Sequence, residues 1–419
     1  MFMSLRNSFI VKYNFHILFI FFCILSVDTS NAQKTYNSYN GLVMAGYQGW
    51  FNTPEDGSGR GWRHLKGKCG FMPGSCNIDL WPDVLEYKQT YNTNFEFADG
   101  SAARMFSSND ESTVFTHFRW MQEYGIDGVF MQRFVSEIKT KSGLRHFNKV
   151  LNSAMLAASK YERAICIMYD LSGMKAGDAA YILSDLDNLA ACYQIKAHSK
   201  CPSYLFHNGK PLVSIWGVGF NDKRMYGLND ANQLIVGLKK RGFSVMIGVP
   251  THWRELADDT RPDTALHSVI KKCDILMPWF VGRYNEETYT GFSSLISKDL
   301  AWCKEYHIDY APLVFPGFSW KNMKGYDTMQ TARNGGSFFW QQITGALSAG
   351  CKMFYVAMFD EMDEGTAIFK TATSVPKGES KFISIEKNLG SDYYLWLAGK
   401  ASEMLRGEKP ISHELPVRR

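Results

Sequence analysis

The sequence MFYVAMFDEMDE, residues 353–364, joins an apolar run directly to four carboxylates. Residues 353–359 carry no charge and are apolar on both faces, which is typical of a parallel strand covered on both sides. The acidic residues follow at the carboxyl end of that strand. In a barrel of parallel strands this end carries the catalytic groups, so the segment predicts a strand that delivers carboxylates to a barrel mouth.

Seven similar runs precede this one, at residues 42–51, 128–134, 164–170, 211–217, 243–250, 275–280 and 311–315. Longer helical patterns separate them. Eight strands alternating with helices predict an α/β fold, a single (β/α)8 TIM barrel with an extended first βα loop over roughly residues 52–124. A doubly wound open sheet is the alternative, but no G-x-G-x-x-G follows the first run.

The first 32 residues have the pattern of a secretory signal. Arg6 and Lys12 precede an apolar run over residues 15–27, and small residues follow at Ser30 and Ala32. We therefore expect cleavage before Gln33, an exported protein (periplasmic, secreted or at the cell surface), and a barrel domain over residues 33–419. An uncleaved anchor is the alternative. The run falls short of the ~20 residues that span a bilayer, so no stable membrane span is expected after cleavage.

Charge and cysteine content exclude several classes. The 46 Lys and Arg against 41 Asp and Glu give a net charge of only +5, without a long basic run, so no nucleic-acid partner is expected. No C-x-x-C or H-E-x-x-H spacing occurs, so neither a metal site nor a cofactor is predicted. Cys69 and Cys76 bracket a turn-rich loop and are the candidate pair for a disulfide in an exported protein.

Aromatic and polar residues recur where the predicted strands end. The chain is 15% aromatic and contains 11 Trp. Indole faces stack on sugar rings, and carboxylate and guanidinium groups bind hydroxyls, so a polysaccharide or oligosaccharide substrate is predicted; the alternative is that each Trp plugs the barrel mouth. The strand-end candidates for substrate binding are Tyr47, Trp50, Arg133, Asp170, Trp216, His252, Trp253, Trp279 and Trp320.

The carboxylates at residues 360–364 fit the chemistry of glycoside hydrolysis. One carboxyl must protonate the leaving oxygen, and a second must generate the nucleophile. Crowding separates their pKa values and so their roles. Two other readings stay open. The barrel binds glycans without catalysis, or it is a metal-dependent carbohydrate esterase or deacetylase in which a histidine such as His252 reaches the carboxylates.

Residues 359–368, FDEMDEGTAI, resemble the strand-eight signature N-E-W-H-E-G-T-x-I of glycoside hydrolase family 99, and more distantly family 71. Residues 59–64 resemble a W-x-H segment of the family's first loop. Residues 106–110, His117 and residues 125–129 resemble its approach to strand two. The resemblance covers most of the chain after residue 40.

The resemblance implies a retaining, endo-acting glycosidase that works through a 1,2-anhydro sugar. It implies that Glu361 is the base that deprotonates the sugar 2-hydroxyl and that Glu364 is the general acid. It also places Trp62, His64 and Asp170 in the substrate site. The chain departs from the family at residues 132–134, which replace paired Trp, and at residues 362 and 363, which replace Trp and His. The reaction class therefore carries over, and the mannose specificity stays open.

Overall fold

Parallel strands surrounded by helices make up the centre of the computed structural model, which describes residues 33–418. The predicted signal sequence, residues 1–32, lies outside the described residues. The strands are β1 (Val43–Tyr47), β2 (Gly128–Phe134), β3 (Ala164–Asp170), β4 (Phe206–His207), β5 (Lys210–Trp216), β6 (Ser244–Val249), β7 (Ile275–Pro278), β8 (Asp309–Tyr310), β9 (Leu313–Val314) and β10 (Phe354–Val356).

The sheet order is β8-β7-β6-β5-β3-β2-β1-β10-β9, with every neighbouring pair parallel. The short β4 adds to β5 as an antiparallel hairpin. The two ends of this order, β8 and β9, belong to one continuous segment, so the sheet closes on itself. Pro312 separates them because proline has no N–H to donate to the ladder. The predicted (β/α)8 barrel is confirmed.

Helices cover the outside of the barrel, and the strands are buried on both faces. Thr140 begins the longest helix, since its Oγ1 accepts from Gly143 N at 3.0 Å. The helices are α1 (Glu111–Tyr124), α2 (Val135–Ile138), α3 (Lys141–Tyr161), α4 (Ala179–Cys192), α5 (Leu228–Lys240), α6 (Ala265–Ile270), α7 (Tyr289–Glu305), α8 (Lys321–Lys324), α9 (Ser337–Ser348) and α10 (Tyr393–Leu405).

The long first loop, residues 48–110, is joined to the loop that follows β10. The backbone N–H groups of Asp79 and Leu80 both donate to Met362 O, at 2.9 and 3.3 Å, and Ile383 N donates to Asp79 O at 2.7 Å. These bonds place the first loop at the carboxyl end of the barrel, beside the acidic segment. No helix within residues 33–418 has the length and apolar character needed to cross a bilayer.

The predicted disulfide between Cys69 and Cys76 is wrong in this structure, where both are free thiols. Cys69 is exposed, whereas Cys76 is buried with its Sγ 3.4 Å from Ser380 Oγ. Ser75 closes the turn instead: its Oγ accepts from Cys69 N at 3.0 Å and donates to Gly70 O at 3.1 Å. The hydrogen bonds of one serine therefore hold the loop that the cysteine spacing assigned to a covalent link.

Candidate active site

A cleft of about 830 Å³ opens where the parallel strands end. Residues that follow β1, β2, β3, β5, β7, β9 and β10 all contribute side chains to it. Both predicted catalytic residues, Glu361 and Glu364, line its wall, and tryptophans and amides surround them. The cleft therefore has the position at which barrel enzymes carry out their chemistry.

Glu361 is held rigidly at the base of the cleft and is only 4% exposed. Its Oε1 accepts from Gln48 Nε2, and its Oε2 accepts from Thr366 Oγ1 at 2.8 Å. Glu364, three residues later, is half-buried. Both carboxyls therefore line one cleft, and Glu364 is more exposed to solvent than Glu361.

Burial is the main electrostatic effect on the acidic segment. It raises the pKa of Glu361 well above its usual value, and the neighbouring charges of Glu364 and Asp363 raise it further. Burial, then the charge of Asp363, also raises the pKa of Glu364, which the nearby Trp320 indole partly offsets. The pKa of Asp363 is raised by burial as well. At least one carboxyl of the segment therefore holds a proton near neutral pH, as a general acid must.

Asp360 positions the segment from behind the cleft. It is fully buried, and its two oxygens accept from Gln48 N at 2.7 Å and Gly49 N at 2.9 Å. Burial raises its pKa to about 7. Because Gln48 in turn donates to Glu361, Asp360 links the end of β1 to the candidate base.

Tryptophan rings form the apolar walls. Trp50 stacks on His64 with ring centroids 3.9 Å apart, and Trp216 meets Trp279 edge-on at 5.2 Å. Within residues 33–418 no acceptor contacts the buried Nε1 atoms of Trp50 and Trp216. Rings with unused N–H donors suit a ligand that offers both apolar faces and oxygen atoms, as a sugar does.

Solved structures share this architecture across most of the chain. An endo-α-mannosidase of glycoside hydrolase family 99 from Bacteroides thetaiotaomicron has 14% identity and a TM-score of 0.64 in complex with bis-tris propane, covering 89% of this chain and 99% of that one. A second structure of the enzyme has 13% identity and a TM-score of 0.65, and the match covers 88% of this chain and 99% of that one. A glycoside hydrolase-like protein has 14% identity and a TM-score of 0.51, and the match covers 88% of this chain and 94% of that one. The fold is similar to that of family 99. No family model matches the sequence, and no curated protein matches it.

On this family 99-like fold, eight of the predicted site residues line the cleft together: Trp50, His64, Asp170, Trp216, Trp279, Trp320, Glu361 and Glu364. Asp170 lies at the end of β3, in register with Trp216 of β5. His64 comes from the first loop, with its Nδ1 3.6 Å from Asp363 Oδ2. Burial lowers the pKa of His64 to about 3, so the imidazole is neutral.

Strand geometry keeps three other predicted residues out of the cleft. Arg133 points outward and forms a bidentate ion pair with Asp185 of α4, at 2.7 and 2.9 Å. Tyr47 is fully buried and hydrogen-bonded to His117 Nδ1 at 2.8 Å. Trp253 is also fully buried, with its Nε1 3.2 Å from Asp299 Oδ2. These three side chains are buried in the protein and are not among the residues that line the cleft.

Two further candidates lie outside the cleft lining. Trp62 packs against Phe71 of the first loop, with ring centroids 4.9 Å apart. The His252 Nε2 lies 3.4 Å from Asp258 Oδ2, and the cleft lining includes Asp259 of the same loop but not His252. Among the described residues, no three His, Cys, Asp or Glu side chains are placed to hold a metal ion. His252, the histidine that the esterase alternative named, is therefore not part of such a group, and neither is His64, which approaches Asp363.

Several cleft residues were missed from the sequence. Gln48 and Gln132 face the cleft directly beside the predicted Tyr47 and Arg133. Charged pairs line its rim, where Arg63 pairs with Glu137, and Arg283 Nε lies 2.9 Å from Asp259 Oδ2. The glutamines stand next to predicted residues at strand ends, and alternation alone does not indicate which of two adjacent side chains faces the cleft.

Proposed function

We propose that the protein is a retaining glycoside hydrolase that cleaves O-glycosidic bonds within a glycan or polysaccharide. The observation that carries the proposal is the placement of Glu361 and Glu364 in one tryptophan-lined cleft at the barrel mouth. Their raised pKa values fit a site that shares protons between carboxyls. The family 99-like fold and the signature at residues 359–368 support the same reaction class.

In this proposal Glu361 is the base and Glu364 the general acid. The two hydrogen bonds to Glu361 fix its carboxylate to take the proton of one hydroxyl, the sugar 2-OH in the anhydro-sugar route. The 2-oxygen then bonds to the anomeric carbon as the glycosidic C–O bond breaks. Glu364 is more accessible and can protonate a departing oxygen, then activate water after the leaving group has left. The proposal includes export of the protein. An exported enzyme would act on extracellular glycans.

The test is hydrolysis of a glycan panel, led by α-mannans and α-mannosides, by residues 33–419 and by Glu361→Gln and Glu364→Gln. We expect each substitution to lower kcat by about 10²–10⁴-fold with the fold intact. Glu123→Gln, at an exposed helix position outside the cleft, is the matched control and should keep full activity. Wild-type activity in either cleft variant would remove that residue from its role.

An aryl glycoside of the cleaved sugar separates the two roles. A dinitrophenolate leaves without protonation, so Glu364→Gln should recover much of its rate of bond cleavage on that substrate. Glu361→Gln should not recover, since the base is needed whatever the leaving group. Equal recovery in both variants would contradict this assignment. Glycan binding by the wild type without any hydrolysis would favour the non-catalytic barrel.

A further inference from the structure

Two glutamines lie side by side in the cleft. Tyr47 of β1 is in register with Met131 of β2, so the next residues, Gln48 and Gln132, are neighbours across the two strands. Their side chains are 6% and 5% exposed, yet both line the cleft. They are therefore largely buried amides that form part of the cleft lining together with Glu361.

The orientation of each amide follows from its neighbours. Gln132 Nε2 lies 3.3 Å from Met168 Sδ and 3.1 Å from Tyr355 Oη. A thioether sulfur accepts hydrogen bonds but cannot donate, so the amide nitrogen faces it and the carbonyl oxygen points the other way. Gln48 likewise directs Nε2 at Glu361. Among residues 33–418 no donor reaches either Oε1.

Gln342 shows what the same residue does in a purely structural position. It is 1% exposed, and its Nε2 donates to Phe315 O at 2.8 Å and Phe338 O at 3.0 Å. Its Oε1 accepts from Tyr284 Oη at 2.9 Å and from Phe315 N at 3.2 Å. A buried acceptor without a donor is destabilising, so the contrast points to a ligand at the Gln48–Gln132 pair.

We propose that Gln132, with Gln48 beside it, determines sugar specificity: their two carbonyl oxygens accept hydrogen bonds from two hydroxyls of the ring held against Glu361. This deepens the proposed function and rests on it for the position of that ring. Two carbonyl oxygens repel a carboxylate or phosphate. The ligand class at this position is therefore a neutral pyranoside with free hydroxyls, rather than an acidic sugar.

The experiment measures binding, so it does not depend on turnover. Wild type and Gln132→Met are titrated by NMR with the methyl α-glycosides of mannose, glucose and galactose, then with each monodeoxy form of the tightest binder. Methionine keeps the length of the side chain and removes the carbonyl. We expect Gln132→Met to bind the parent sugar about 10- to 100-fold more weakly. We also expect one monodeoxy sugar to bind wild type and variant equally, because its missing hydroxyl is the partner of Gln132.

Thermal stability distinguishes recognition from a structural role. Gln132→Met should lower the Tm less than Gln342→Met does, since it removes the Nε2 donor to Met168 and Tyr355 but an acceptor that no donor within residues 33–418 satisfies. Gln342→Met, the matched control, should lower the Tm and leave the Kd for the parent sugar unchanged.

Three outcomes would overturn the proposal. The wild type binds none of the three glycosides, or the Kd of Gln132→Met for the parent sugar lies within twofold of the wild-type value. The third is that Gln132→Met binds every monodeoxy sugar more weakly than the wild type does, by the same factor. Failure of hydrolysis alone would refute the proposed function and leave this binding result standing.

Discussion

The Arg133 side chain shows how a single residue at a strand end can serve the wall of the barrel instead of its ligand. It is 1% exposed and forms a bidentate pair with Asp185, which also accepts from Tyr169 Oη at 2.7 Å. Removing one partner of a buried pair leaves an uncompensated charge, which typically costs about 3–5 kcal/mol. We therefore expect Arg133→Met to lower the free energy of unfolding by that amount, as measured by urea denaturation.

The double variant Arg133→Met/Asp185→Asn provides the control. Asparagine removes the buried charge and keeps an acceptor for Tyr169, so much of the lost stability should return. Neither change should alter the KM for the cleaved glycan. If Arg133→Met were as stable as the wild type and had a raised KM, Arg133 would instead be a substrate-binding residue.

At the scale of elements, the positions of the strands could be predicted from the sequence. Which side chains of each strand point toward the cleft could not. Continuous apolar runs identify parallel strands, but a run that is apolar on both faces gives no signal for which side chains point inward. That is why Gln48 and Gln132 were missed while Tyr47 and Arg133 were chosen. Residues 359–364 were easier to interpret, because four carboxylates cannot follow an apolar strand without emerging at its end.

The first loop was the least predictable element, since its position depends on single hydrogen bonds between distant residues. Asp79 is fully buried and accepts from Ser319 Oγ, Lys321 N and Asn322 N at 2.5, 2.7 and 2.8 Å. It thereby holds the start of α8, directly after Trp320 of the cleft. Neither hydrophobic periodicity nor a local motif connects residue 79 to residues 319–322.

Asp79→Asn should release this element. The amide nitrogen would face backbone N–H donors, so we expect trypsin to cleave after Lys321 and Lys324 about tenfold faster than in the wild type. Mass spectrometry of timed digests measures the rate. Asp83→Asn lies in the same loop and is the control, since among the described residues the Asp83 side chain accepts only from the nearby Leu85 N, at 3.1 Å. Equal cleavage rates in the Asp79 and Asp83 variants would show that Asp79 does not hold the segment.

For the whole molecule, buried carboxyls and buried histidines act on stability with opposite signs. Burial raises the pKa of Asp299 and Asp360 to about 7 and raises the pKa of three more carboxyls: Glu361, Asp363 and Glu364. A raised carboxyl pKa means that the folded state binds protons more tightly, so this stability is lost as pH rises through the folded pKa values. Burial also lowers the pKa of His64 and His117 to about 3 and of His146 to about 4. That stability is lost as pH falls below the unfolded value near ~6.5.

The two groups therefore oppose each other below about pH 6.5, and only the carboxyls act above it. We expect Tm at constant ionic strength to fall gradually between about pH 5 and 6.5, where three histidines offset only part of the effect of five carboxyls, and then to fall by about a further 5 °C toward pH 8. Differential scanning calorimetry measures the profile. Glu361→Gln removes one raised carboxyl and should flatten the fall above pH 6.5, whereas the surface variant Glu123→Gln should leave it unchanged. A Tm that rises from pH 6.5 to 8 would mean that the acidic segment is already ionised in the folded protein, and then Glu364 could not hold the proton that a general acid must deliver.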